Sequence, residues 1–180
     1  MIICAGEIEN FDFAIPIGIG LIDSAINLTN ILKTKLLEKQ NISELIFIGT
    51  AGLYKNGNIL DVYESSKASN LEISKVLNLS YTPTKYVIET NVSRETLQIN
   101  SSNFITQDEI IAHKMFDLGC FMENMEFFSV LKVANFFKIP AFGIFCATNF
   151  CNKNAHNDFL SNHEKAKKIL KNYVKEKGII

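Results

Sequence analysis

The apolar positions of this chain change period several times, and each change marks an element. Ile2 to Ala5 is a short apolar run that reads as a strand, and Phe11 to Ile17 reads as a second. Pro16 inside the second run predicts an edge or strand-end position, because proline cannot donate to a ladder. Ile22, Ala25, Ile26, Thr29, Leu32 and Leu36 then recur at helical spacing. Glu44 to Ile48 is a continuous apolar run ended by Gly49, the mark of a strand covered on both faces. Asn56-Gly57-Asn58 predicts a turn before a strand over Ile59 to Tyr63, and Tyr86 to Thr90 is β-branched and aromatic. Residues 65–83 are polar and show no period, and Ile99 to Thr106 reads as a polar-rich strand or loop.

The second half is more regular. Asp108 is placed to cap a helix over Ile110, Ile111, Met115 and Phe116, which Gly119 ends. Cys120 to Met122 is a short apolar strand. From Glu126 an apolar helix pattern runs to a break at Lys138 and Pro140, and a second apolar strand follows, ending in Thr148-Asn149. Ala166, Ile169, Leu170, Tyr173 and Val174 predict a final helix over Lys165 to Glu176. Strands alternating with helices, without repeat or linker, predict one three-layer α/β/α domain over residues 1–180 with a central mixed sheet.

In such sheets ligands bind beyond the carboxyl ends of strands, beside helix starts. That rule selects Glu126 at a helix start and Asn149 at a strand end. It also selects Gly49-Thr50-Ala51-Gly52, where small residues admit a ligand to the backbone. Gly18-Ile19-Gly20 joins a strand to a helix, and its backbone N–H groups are candidates for an anion or a sugar. Read as a dinucleotide fingerprint this turn fails, because Asp23 occupies the third glycine position.

Composition removes other classes. A net charge of -1 gives no field for nucleic acid or an anionic membrane, and no apolar run reaches a bilayer-spanning length. The N-terminus lacks a basic signal-peptide region, so a cytoplasmic location is expected. Cys4, Cys120, Cys146 and Cys151 show no metal-ligand spacing and read as buried thiols, while His113, His156 and His163 read as surface residues; no metal site is expected. Arg94 is the only arginine, where a phosphate-gripping protein would be expected to carry more.

Gly49-Thr50-Ala51-Gly52-Leu53, Asn124-Met125-Glu126 and Ala147-Thr148-Asn149 together resemble the nucleoside phosphorylase / nucleosidase family, as do Gly18-Ile19-Gly20 and Leu60-Asp61-Val62 in the same order. The resemblance implies cleavage of the N-glycosidic bond of a purine nucleoside. Glu126 would accept both ribose hydroxyls and Met125 would pack on the sugar; Glu123 stands close by, but it is Glu126 that the methionine precedes. Gly18, Gly49, Thr50, Ala51 and Gly52 would line the phosphate or water side, unless the glycine segment is only a tight turn. Phe104, Ile105 and Thr106 would hold the base, the alternative for Phe104 being a core position. Ile2 to Glu7 resembles the first strand of the nucleosidases and the glutamate that orients water, against which Glu7 also reads as a surface acid in a turn.

Two departures shape the expected chemistry. Asn149 stands where purine-specific bacterial members usually carry an aspartate that donates to the leaving base, which leaves open a 6-oxopurine preference, slow turnover or a site without chemistry. Phe47 stands where hexameric phosphorylases carry an arginine, which favours hydrolysis over phosphorolysis. No cofactor is implied, only phosphate as co-substrate of a phosphorylase. The expected partners are a small nucleoside and further copies of the chain, since members share pocket residues across a dimer interface.

Overall fold

The computed structural model describes residues 1–90, 92 and 95–180; the arginine Arg94 lies outside the described residues. In chain order the elements are β1 (Ile2–Cys4), β2 (Ile15–Pro16), α1 (Leu21–Leu37), β3 (Leu45–Leu53), β4 (Val62–Ser65), β5 (Lys67–Ser69), α2 (Ile73–Val76), β6 (Val87–Glu89) and β7 (Gln98–Ser101). They continue with α3 (Glu109–Asp117), β8 (Cys120–Asn124), α4 (Phe127–Phe136), β9 (Ala141–Phe150) and α5 (Ala155–Glu176). The strands form one mixed sheet in the order β2-β1-β3-β8-β7-β5-β6, with β9 on the other side of β3 and β4 beside β9.

Alternation along the two central strands builds the layers. Leu45 and Phe47 of β3, with Ala141 and Phe145 of β9, pack with residues of α1 and α4 in one core. Ile46 and Ile48, with Phe142, Ile144 and Cys146, join Ala166, Leu170 and Val174 of α5 in a second. An α/β fold with a mixed sheet between helical layers is therefore present. Among the described residues no helix is long and apolar enough to cross a membrane.

In the first core Phe47, Phe127 and Phe145 meet with ring centroids 5.0 to 6.1 Å apart. Gly143 makes that meeting possible. A Cβ there would stand 2.5 Å from Phe145 Cε2 and 2.8 Å from Phe127 Cε2. Gly143→Ala is accordingly expected to cost about 1–3 kcal/mol by overpacking, roughly 2–4 °C of Tm for each kcal/mol. An unchanged denaturation midpoint would show that the rings turn aside freely.

Several boundaries differ from the sequence expectation. β3 does not stop at Gly49 but runs on to Leu53, with a register shift against β9 between Ala51 and Gly52. The small residues follow from burial on both faces of a continuing strand, not from a loop. The strand expected over Phe11 to Ile17 shrinks to two residues at the sheet edge, because Phe11 and Phe13 instead stack on each other at 5.4 Å. The strand expected from Ile59 begins at Val62, after Leu60 adopts a left-handed φ of 71°. On α1, of the positions that gave the helical period, Leu32 is buried with Ser24 and Leu28, while Ile22, Ile26 and Leu36 face outward. α5 starts at Ala155, ten residues before the expected helix, because its first turns are polar.

One topological detail positions the site. β9 follows β3 along its whole length, but the opposite edge of β3 is shared. β1 pairs there with Ile46 and Phe47, and β8 pairs with Gly52 and Leu53. Among the described residues, 48–51 have no paired strand on that edge. The strand neighbours part at this point, and a crevice opens.

Candidate active site

The crevice is a cleft of about 260 Å³ whose wall includes Glu9, Thr50, Gly52, Met125, Glu126 and Asn149. Of the other residues predicted for the site, Ala51, Phe104 and Ile105 also line it. Glu7, Gly18, Gly49 and Thr106 do not.

Glu7 is exposed on a turn, at a left-handed φ of 51°. Two residues on, Glu9 turns into the cleft. The turn closes through Glu9 N–H to the Gly6 carbonyl at 2.9 Å. Gly6 has φ 100°, and a Cβ on it would stand 2.9 Å from Pro16 Cβ, so the turn needs glycine there. From the other side His163 of α5, buried and not on the surface as expected, brings Nε2 to 3.0 Å from the Ile8 carbonyl. The sequence expectation missed Glu9, although the glycine three residues before it signals a turn that reverses which glutamate points inward.

The Glu9 carboxylate occupies the gap in the β3 edge. Thr50 N–H donates to its two oxygens at 3.3 and 3.4 Å, and the Thr50 hydroxyl also donates to it. This backbone N–H would otherwise face a missing strand. Burial pushes the Glu9 carboxyl above the usual carboxylate range, opposed by the Thr50 hydrogen bonds and the nearby His163 and Lys167. Gly49 stays out of the cleft wall because its open side faces the Phe47 ring and Glu9 Oε2.

Glu126 occupies the position before the first turn of α4, its side chain turned away from the helix N–H groups, and is 5% exposed. Its Oε1 accepts from Gly20 N–H at 2.9 Å; its Oε2 accepts from Asn124 Nδ2 at 3.1 Å and Met125 N–H at 3.2 Å. The Gly18-Ile19-Gly20 turn thus spends an amide on Glu126 rather than on a ligand, and Gly18 packs against Asn27 and Asp23. Burial raises the Glu126 carboxyl to about 7, with the Gly20 N–H pulling it down and the Glu9 charge pushing it further up.

Asn149 is buried on β9. Its Oδ1 accepts from the Thr148 hydroxyl at 2.9 Å, and its Nδ2 donates to the Phe150 carbonyl at 3.2 Å. Gly52 faces it across the ladder, and a Cβ there would stand 2.9 Å from Asn149 Nδ2. The amide keeps one N–H and acceptor capacity for a ligand. Phe104 is 82% exposed at the cleft rim, so it is not a core side chain. Ala155, His156 and Phe159 of α5 complete the wall and were not anticipated, because the helix was expected to begin later.

Among the described residues no three or more of His, Cys, Asp and Glu are grouped to hold a metal ion. All four cysteines are free and buried.

No protein-family model matches the chain, and no curated protein matches it. Solved structures do. The chain is similar to a mutant futalosine hydrolase of Helicobacter pylori, with TM-score 0.78 and 16% identity over 97% of this chain and 95% of that one. It is similar to a mutant H. pylori 5'-methylthioadenosine/S-adenosylhomocysteine nucleosidase with 5'-methylthioadenosine in its active site, with TM-score 0.73 and 18% identity over 89% and 77% of the two chains. The same nucleosidase from S. pneumoniae, held with a transition-state inhibitor, matches at TM-score 0.74 and 15% identity over 95% and 94%. The chain shares the fold of the nucleoside phosphorylase / nucleosidase family.

Proposed function

We propose that the protein hydrolyses the N-glycosidic bond of a purine nucleoside or nucleoside derivative. The observation that carries this reading is the convergence of two carboxylates, half-buried Glu9 and buried Glu126, with the Asn149 amide on one cleft. Three of the roughly four acceptor sites of Glu126 are taken by protein donors, so it accepts a ribose hydroxyl at the remaining one, and Met125 packs beside the sugar. A water held by Glu9 attacks C1' and loses its proton to the Glu9 carboxylate. The electrons of the broken bond pass to the base, which Asn149 meets by hydrogen bonds. Until that proton is transferred, both carboxylates flank the oxocarbenium-like sugar, where their negative charge stabilises the transition state.

Water is favoured over phosphate for two reasons. The described residues of the cleft wall include no lysine or arginine. The Thr50 amide and hydroxyl are already given to the Glu9 carboxylate, whose charge repels a dianion. The nucleosidases of the same fold support the reading. Inosine, guanosine, adenosine and methylthioadenosine, each incubated with and without phosphate, test it. Free base and free sugar without phosphate are the expected products; release that requires phosphate would overturn hydrolysis.

One observation favours a second reading, nucleoside binding without turnover. Asn149 holds no proton to give the leaving base. Asn149→Asp separates the two, since a positioned acid contributes about 10²–10⁴-fold. A rise of about a hundredfold in base release marks an enzyme short only of its acid. Binding with no release from either protein marks a binding module.

A further inference from the structure

Glu123 is a buried carboxylate in the cleft wall that the proposed cleavage does not use. It stands on β8 directly opposite Gly52, while Asn149 stands opposite the same glycine on β9. Its Oε1 accepts from Thr106 N–H at 2.8 Å, and its Oε2 accepts from the Thr106 hydroxyl at 2.7 Å and the Tyr54 hydroxyl at 2.9 Å. A carboxylate offers about four acceptor sites, and these three hydrogen bonds take most of them.

Burying a charge in a wall is costly, and an apolar residue of similar size would often be no less stabilising. What the carboxylate does here is tie separate segments together. Tyr54 follows β3, and its hydroxyl accepts from Asn100 Nδ2 at 3.3 Å; Asn100 Oδ1 in turn accepts from Ser69 Oγ and Leu71 N–H. Thr106 ends the segment that carries Phe104 and Ile105 to the cleft. The other end of that segment is pinned where Asn103 Oδ1 accepts from Leu21 N–H at 2.8 Å. Between the two pins Phe104 and Ile105 are 82% and 52% exposed, and packing alone does not hold them.

We infer that Glu123 is a positioning residue for the base end of the cleft, holding the Phe104–Ile105 segment through Thr106 and tying it to the chain beyond β3 through Tyr54. The inference rests on the nucleoside reading and adds to it a determinant of base affinity that never touches the base. The distinctive consequence is coupling. Phe104 can contribute stacking only while Thr106 is held, so losses at Glu123 and Phe104 are not additive.

Calorimetry with the free base hypoxanthine tests this without requiring turnover. Glu123→Gln is expected to weaken base binding about tenfold, and Phe104→Ala to do the same in the parent, the scale of one stacked base. In the Glu123→Gln background Phe104→Ala should add less than about twofold. Thr106→Val, which keeps the buried carboxylate, should reproduce part of the loss, and Thr106→Ser should restore it. The penalty of Glu126→Ala on nucleoside affinity should be the same in both backgrounds. Base affinity surviving Glu123→Gln and Thr106→Val, or additive losses at Glu123 and Phe104, overturns the inference alone. A parent protein that binds no base overturns the nucleoside reading and this inference with it.

Discussion

Glu9→Gln is expected to lower kcat for base release by about 10²–10⁴-fold, the contribution of a positioned general base. Glutamine is nearly isosteric and can still accept the Thr50 N–H through its carbonyl oxygen, so the turn and the gap in the β3 edge stay filled. It cannot take a proton from water. The loss should therefore fall on kcat, with KM moved by less than about threefold, since ground-state contacts to sugar and base are unchanged. The pH profile offers a second signature. Burial holds the Glu9 carboxyl above the ordinary range, and only its ionised form is a base, so the acidic limb of kcat should lie at higher pH than for an exposed glutamate. Rapid-quench or chromatographic assay of base release across pH checks both. Retention of near-parental kcat by Glu9→Gln would remove Glu9 from the chemistry and leave binding as the role of the cleft.

The layers were legible because they follow from period. The continuous apolar runs at β3 and β9 lie where they were read, and Asp108 caps α3 by accepting from Ile111 N–H as its position implied. The cleft positions of Glu126 and Asn149 were legible because the two residues sit on such elements, one at the start of α4 and the other near the end of β9. What stayed hidden depends on contacts far apart in sequence. Glu7 and Glu9 are chemically alike, and only the Gly6 turn, pressed against Pro16 and held by His163 from α5, decides which enters the cleft. Glu123 and Glu126 are equally alike, and they divide because one meets Thr106 and Tyr54 while the other meets Gly20. The glycine segment 49–52 misled for a physical reason. Small residues suit a loop, but they also suit a strand that must let Asn149 and the Phe47 ring pass close on either side.

Glu126→Ala is expected to weaken nucleoside binding and turnover by about 10–10²-fold, because its three protein donors leave about one acceptor site and a hydrogen bond to a charged group contributes about 1.5–3 kcal/mol. The pH dependence identifies the charge as the cause. Burial raises the carboxyl to about 7, so near neutrality part of the free protein carries a neutral Glu126 that accepts the sugar hydroxyl poorly. Affinity should fall by about tenfold for each unit below pH 7, until the pKa of the complex is reached, and Glu126→Gln should lack this slope. Stability runs the opposite way. The folded state holds this proton more tightly than the unfolded chain, whose carboxyl has the ordinary value of 4.5. The stabilisation is full below pH 4.5 and is lost as pH rises to about 7, by about 3 kcal/mol in all. The Tm of Glu126→Gln relative to the parent should accordingly be higher at pH 8 than at pH 5. A pH-independent Tm difference, together with undiminished nucleoside binding at pH 5.5, would mean that Glu126 is a structural residue and nothing more. The predicted pairing of weaker binding with greater stability above neutrality is what a functional buried charge entails: the Gly20 and Met125 N–H groups offset only part of the cost of holding it in the cleft, and the ligand's hydroxyl offsets more.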